Sequence, residues 1–66
     1  MQVIINGEPR QVPDPISLAQ AVALLTSVQA GVAAAVNGDV VRRAAWDSTP
    51  LTDGDEVEVL TAVQGG

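Results

Sequence analysis

The hydrophobic pattern of the first residues places Met1, Val3 and Ile5 on one side and Gln2 and Ile4 on the other. A period of two is typical of a strand with one buried face. The Asn-Gly pair at positions 6 and 7 is a strong signal for a tight hairpin turn, so residues 8–12 are predicted to return antiparallel. Pro9 has no N–H to donate to a neighbouring strand, which predicts that the second strand lies at a sheet edge.

A change to helical spacing follows the two prolines at positions 13 and 15. Ser17 is the predicted N-cap, and Gln20 stands at the capping-box distance from it. Apolar side chains then recur at the spacing of one helix face, which predicts about nine residues of helix packed on the sheet. Residues 26–31 are the predicted exit loop, in which Gly31 allows a left-handed backbone. The apolar helix face comprises Leu18, Ala21, Val22 and Leu25.

A stretch of small apolar residues at 32–36 is interpreted as a third strand. Its alanines would also suit a helix, but its β-branched ends and the Asn-Gly pair that follows favour a strand. A second hairpin is therefore predicted, returning through residues 40–42. Residues 43–51 have no clean period and are predicted to cross the bottom of the domain, with a partly buried Trp46 or Leu51 as an apolar plug.

The last alternating stretch, residues 56–60, follows an Asp-Gly turn at positions 53 and 54 and predicts a final strand. Val57 and Val59 are expected to point into the core. The first and last strands are richest in Val and Ile, so we expect them to lie side by side at the centre of the sheet. The residues expected to point away from the core are Glu56, Glu58 and Leu60.

These elements have the order β-β-α-β-β-β and predict an α+β fold. Its mixed sheet of four to five strands would carry one helix across one face and leave the other face to solvent. Residues 1–63 are expected to form this domain, and residues 64–66 a flexible C-terminal tail.

The composition limits the chemistry open to the chain. It has 66 residues with no cysteine and no histidine, so we expect no catalytic residue, metal site or bound cofactor. Asp53 and Asp55 flank a turn glycine without a third ligand and are interpreted as turn residues. The net charge of −5 disfavours nucleic acid and favours basic protein partners. The short apolar runs and the lack of a signal-peptide pattern predict a cytoplasmic protein that is not bound to a membrane. The free protein is expected to be a monomer.

The final residues, Gln64, Gly65 and Gly66, are the strongest functional signal in the chain. Glycine has no Cβ, so this end would fit a slot too narrow for any side chain, where a partner's active site could reach the terminal carboxylate. We interpret the tail as the functional element and the domain as its support. The alternative is a linker end or an expression remnant without function.

The chain resembles the β-grasp, or ubiquitin-like, sulfur carriers, and most closely those of thiamine biosynthesis. The resemblance covers essentially the whole chain. Asn-Gly and Asp-Gly turns are common singly, but their order, the chain length and the terminal diglycine are specific in combination. The motifs that carry the resemblance are MQVIIN at residues 1–6, AVNG at 35–38, VRR at 41–43, LTDGDEV at 51–57 and the two final glycines.

The resemblance implies a carrier that is modified by other proteins and is not itself an enzyme. An E1-like adenylating enzyme would use ATP to activate the carboxylate of Gly66. A sulfur-donor system would then convert the activated glycine to a thiocarboxylate, and the loaded tail would deliver sulfur to a thiazole synthase. Gly65 and Gln64 would give the tail access to each partner's active site.

A docking surface for these partners is predicted on the sheet face away from the helix. Alternation puts Ile4 and Leu60 on that face of neighbouring strands, and Ala62 at the rim of the same apolar patch. Glu56 and Glu58 would form an acidic stripe that steers a basic partner. Scattered exposed apolar residues without a role are the alternative.

Other functions stay open at the level of sequence. Within the carriers, these are the small subunit of molybdopterin synthase, which is usually longer and has a phenylalanine near its end, and a carrier for cysteine formation. From other classes, they are a non-covalent β-grasp interaction module and a regulatory ligand-binding domain. Sulfur found at the terminus would separate the carriers from the other two.

Overall fold

The computed structural model describes residues 1–26 and 31–61. Its elements in chain order are β1 (Gln2–Ile5), β2 (Glu8–Gln11), α1 (Leu18–Leu25), β3 (Val32–Val36), β4 (Asp39–Val41), a 3₁₀ turn (Arg43–Ala45) and β5 (Glu56–Thr61). The strands form one sheet in the order β2-β1-β5-β3-β4. β1 and β5 are parallel neighbours at its centre, and the other neighbouring pairs are antiparallel. The predicted mixed sheet with one helix is therefore confirmed.

Both predicted Asn-Gly hairpins are present. Asn6 and Asn37 each have φ of 51°, and the glycines that follow have φ of 83° and 88°. Two successive residues with positive φ are what the tightest hairpin turn requires, and asparagine and glycine adopt such angles at the lowest cost. The first hairpin places β2, which contains Pro9, at the sheet edge as predicted.

The second hairpin differs from its prediction by one residue. Its return strand, β4, begins at Asp39 and not at position 40, because the tight turn already pairs Asp39 with Val36. Arg42 has left the strand and directly precedes the 3₁₀ turn.

Helix α1 begins with the predicted capping box. The Ser17 hydroxyl accepts a hydrogen bond from the backbone N–H of Gln20 at 3.1 Å, and the Gln20 side chain accepts one from the backbone N–H of Ser17 at 2.9 Å. These bonds satisfy two donors at the helix start. The helix ends where Thr26 takes an extended conformation, after eight residues. Its apolar face packs on the sheet, with Leu18, Ala21 and Val22 buried.

The segment between the 3₁₀ turn and β5 is hydrogen bonded to the start of the helix. The backbone N–H of Leu18 donates to the carbonyl of Thr49 at 2.8 Å, and that of Leu51 donates to the carbonyl of Ile16 at 3.0 Å. The prediction that Trp46 is only partly buried is wrong. Its side chain is 2% exposed, and it is accommodated because the indole N–H donates to the carbonyl of Val41 at 2.8 Å.

In the described residues the core is entirely apolar, and it lies between α1, the crossing segment and one face of the sheet. Among the described residues, no helix is long and apolar enough to cross a membrane. The buried apolar residues are Val3, Ile5, Val12, Ile16, Leu18, Ala21, Val22, Ala34, Trp46, Leu51, Val57 and Val59.

Candidate functional site

Strand β5 leads from the centre of the sheet to the C-terminal tail. It lies between β1 and β3, so it is hydrogen bonded on both sides over its first residues. Its last residue, Thr61, is also the last described residue. The predicted site residues beyond it, namely Ala62, Gln64, Gly65 and Gly66, lie outside the described residues.

The carboxamide of Asn6 holds β5 close to the point where the tail begins. Its Oδ1 accepts a hydrogen bond from the backbone N–H of Val59 at 2.8 Å, and its Nδ2 donates to the carbonyl of the same residue at 3.2 Å. The backbone N–H of Asn6 donates to the carbonyl of Val57 at 2.9 Å. Asn6 thus lies alongside β5 over two of its residues.

The carboxamide of Asn37 binds the opposite end of β5. Its Oδ1 accepts from the backbone N–H of Glu56 at 2.9 Å, and its Nδ2 donates to Oδ1 of Asp55 at 3.0 Å. Sequence reasoning assigned both asparagines to turns alone and missed these contacts. The Asn-Gly pairs were the available signal, because asparagine adds to a turn the donor and acceptor that glycine lacks.

The acidic residues around Gly54 have hydrogen-bonding roles in the loop before β5. Oδ1 of Asp53 accepts from the backbone N–H of Gln2 at 2.8 Å. The carboxylate of Asp55 accepts from the backbone N–H of Thr52 at 2.7 Å and from the hydroxyl of Thr52 at 3.0 Å. In the described part of the chain, no three His, Cys, Asp or Glu side chains group together as metal ligands would.

Asp55 gives a testable pH dependence. Burial raises the pKa of its carboxyl group, but the hydrogen bonds from Thr52 and Asn37 outweigh burial and hold the pKa below the ordinary value of 3.8. A carboxyl whose folded-state pKa is depressed stabilises the fold above the unfolded-state pKa, and this contribution is lost as pH falls through the folded-state pKa.

We expect Asp55→Asn to lower the free energy of unfolding by about 1–2 kcal/mol at pH 7, through the loss of charge-assisted hydrogen bonds. The difference from the parent should shrink as the pH falls below 3.8. Urea denaturation at several pH values measures this difference in the free energy of unfolding. Asp39→Asn is the control, because it removes one negative charge at a different site. A difference that is the same at pH 7 and pH 2.5 would contradict this account.

The sheet face away from α1 carries an apolar concavity beside the end of β5. Leu60 is 69% exposed there, and Val40 is 80% exposed. The register pairs Leu60 with Ala33, and pairs Ala35 with both Glu58 and Val40 across its two neighbouring strands. The residues that line this concavity of about 200 Å³ are Ala33, Ala34, Ala35, Gly38, Val40, Glu58 and Leu60.

The four described residues predicted for docking lie on this face but not in one cluster. Ile4 pairs with Glu56, so it lies four residues along β5 from Leu60. At about 3.3 Å per residue, that is a separation of about 13 Å. Ile4 is half-buried, whereas Glu56 and Glu58 are exposed as predicted. Leu60 thus finds its apolar neighbours on β3 and β4, and not on β1.

A mixed five-stranded sheet crossed by one helix, with the first and last strands parallel at its centre, is the ubiquitin-like β-grasp fold. The chain matches the ThiS family over residues 3–66. It belongs to this family, the sulfur carriers of thiamine biosynthesis.

The chain is also similar to individual proteins over its whole length. The chain is 29% identical to the sulfur carrier protein ThiS of Escherichia coli over 66 residues, which cover all of this chain and all of that protein. It is 32% identical to the uncharacterized protein ycf40 of Porphyra purpurea, over all of this chain and 93% of that one. The crystal structure of the thiamine biosynthesis protein ThiS from Geobacter metallireducens superposes with a TM-score of 0.81 at 35% identity, with both chains fully covered.

Proposed function

We propose that the carboxylate of Gly66 is the group that carries sulfur. The observation that supports this most directly is the family match, which extends to Gly66 and includes the terminal diglycine. A carboxylate is a poor acylating group because its charge is delocalised and its oxygen leaves badly. Transfer of AMP from ATP to the carboxylate, with release of pyrophosphate, produces an acyl adenylate with a good leaving group. Sulfide-level sulfur then displaces AMP and leaves a terminal thiocarboxylate.

The catalysts of these steps are proposed to be partner proteins. An E1-like adenylating enzyme would activate Gly66, and a thiazole synthase would accept the sulfur and restore the carboxylate. The chain itself contributes a C-terminus without side chains, because Gly65 and Gly66 have none that could block an active-site slot. Gln64 precedes these two glycines. Without cysteine or histidine, the chain has few groups suited to catalysis of its own.

The apolar concavity is proposed as the main docking surface for these partners. It lies at the end of β5 nearest the tail, so a protein seated on Leu60 would also lie beside the tail. Glu58 at its edge and Glu56 further along the strand would attract a basic surface, in agreement with the net charge of −5. Ile4 and Ala62 are proposed as peripheral contacts.

Leu60→Asp tests the docking surface. We expect it to weaken binding to the adenylating enzyme by about 2 kcal/mol, or about thirtyfold, because it places a charge in an apolar contact. Leu24→Asp is the matched control, since Leu24 is 57% exposed on α1. Titration calorimetry measures both affinities, and circular dichroism verifies the fold. Equal affinities for the two variants would exclude the concavity as the docking surface.

The mass of the intact protein tests the sulfur-carrier chemistry. After incubation with ATP, the adenylating enzyme and a sulfur source, the chain should gain the mass difference between sulfur and oxygen. Fragmentation should place the gain on Gly66. Omission of ATP should abolish the gain, and sulfur located on any other residue would contradict the proposal.

A further inference from the structure

The ladder between the two central strands ends before β5 does. The parallel register pairs Ile4 with Glu56 and Ile5 with Val57. After Ile5 the chain turns into the first hairpin, whereas β5 continues to Thr61. From Val59 onwards, the side of β5 that faces β1 therefore lies beyond the last paired residue of β1.

The Asn6 side chain takes the place of the missing strand at Val59. A carboxamide offers one acceptor oxygen and an N–H donor, the same pair that a peptide group presents to a neighbouring strand. Both are used on Val59, at 2.8 Å and 3.2 Å. Backbone groups at a strand edge otherwise depend on solvent for their hydrogen bonds. Asn6 thus adds one more pair of hydrogen bonds to the ladder between the central strands, at Val59, close to the C-terminal end of β5.

The turn does not require the carboxamide of Asn6. Its φ of 51° is a conformation that glycine adopts equally well, and Gly-Gly is an accepted pair in turns of this kind. What glycine would not supply is the carboxamide on Val59. The two bonds to β5 are therefore a contribution of Asn6 that is separate from its turn.

We propose that Asn6 is a positioning residue for sulfur transfer, one that fixes the direction in which β5 delivers the chain to Gly66. This inference rests on the proposed function of Gly66. Beyond Val59, Leu60 and Thr61 pair with β3 on one side, while the ladder with β1 has already ended, so the contact with Asn6 supports the other side of β5 just before these residues. A carrier that presents its tail in the productive direction for only part of the time binds its partner with an apparent affinity lowered by that fraction.

Asn37 provides an internal control for this role. It has the same φ, precedes a glycine in the same kind of hairpin and also uses its carboxamide for two hydrogen bonds. Its contacts are at Asp55 and Glu56, where β5 begins. Asn6→Gly and Asn37→Gly each keep a residue suited to positive φ and remove one carboxamide. Comparable stability losses are expected from the two, but only Asn6→Gly loosens the end of β5 that leads to the tail.

The first experiment measures the strand end without any sulfur chemistry. Backbone amide relaxation by NMR should give order parameters of about 0.85 at Leu60 and Thr61 in the parent chain and in Asn37→Gly. In Asn6→Gly they should fall towards about 0.6. Unchanged values at both residues in Asn6→Gly would overturn the inference, whatever the outcome of loading assays.

The second experiment measures sulfur loading against carrier concentration, with ATP and the adenylating enzyme fixed. Fewer Asn6→Gly molecules present the tail in a productive direction, so KM for the carrier should rise about tenfold while kcat stays within about twofold. Both constants should stay within about twofold for Asn37→Gly. Equal KM values for the two variants would overturn the inferred role of Asn6 but not the proposed function of Gly66. A parent chain that takes up no sulfur would contradict the proposed function, together with the role that Asn6 is given in it.

Discussion

Replacing Gly66 by valine is expected to lower the rate of ATP-dependent sulfur loading by about a hundredfold or more. A branched side chain next to the carboxylate displaces the reacting carbon in a slot shaped for bare backbone, and displacements of about 1 Å have effects of this size. Gly66→Ala adds a single methyl group and should fall between the parent and valine. Intact mass as a function of time measures loading for all three chains.

The fold provides the control for this series. The buried core residues of the described chain lie between Val3 and Val59, so substitution of Gly66 is expected to leave the urea midpoint of the domain at the parental value. A rate loss with unchanged stability would assign the effect to access of the terminus. Loading of the valine variant at the parental rate would refute the proposal that Gly66 enters a narrow active site.

Local signals were sufficient for the order and type of the elements. The alternation around Val3 and Val57, the two Asn-Gly pairs and the capping box at Ser17 each depend on residues close in sequence, and each is present in the structure. The β-branched content of the first and last strands also predicted that they lie side by side at the centre of the sheet, and the structure shows that they pair in parallel. These features are determined by local conformational preferences and by the burial of one strand face.

The features that sequence did not predict depend on register between distant segments. The Asn6 carboxamide contacts Val59 across 53 positions, and the Asn-Gly pair indicates a free carboxamide at the turn but does not identify its distant partner. The same holds for the docking face, where alternation correctly placed Ile4 and Leu60 on one side but gave no information on their separation along β5. A period of two assigns a residue to a face, whereas its neighbours on that face follow from the pairing of strands.

The burial of Trp46 was missed for a related reason. An aromatic residue in a segment without a clean period suggested a partly exposed plug. Its complete burial requires an acceptor for the indole N–H, and the carbonyl of Val41 supplies one only once β4 has been placed. The guanidinium carbon of Arg43 lies 5.3 Å from the centre of the indole ring and covers it from outside.

Trp46→Ala is accordingly expected to have the largest effect on stability of any single substitution in the core. Trp46 is the largest of the fully buried side chains, and truncation of a buried tryptophan to alanine costs about 3–5 kcal/mol. A domain of 66 residues has a total stability of about 3–10 kcal/mol at about 0.05–0.15 kcal/mol per residue. The loss is comparable with the whole, so a large unfolded fraction is expected at 25 °C.

Trp46→Phe separates the two contributions of this side chain. Phenylalanine retains most of the apolar volume but leaves the carbonyl of Val41 without the indole donor, at a cost of about 1–3 kcal/mol. Far-ultraviolet circular dichroism in urea is the suitable measurement, because Trp46 is the only tryptophan and its fluorescence is lost with it. We expect the order parent, phenylalanine, alanine in urea midpoint. An alanine variant with the parental midpoint would show that the core does not depend on the indole, and the small apolar residues around it would then have to account for the stability of the domain.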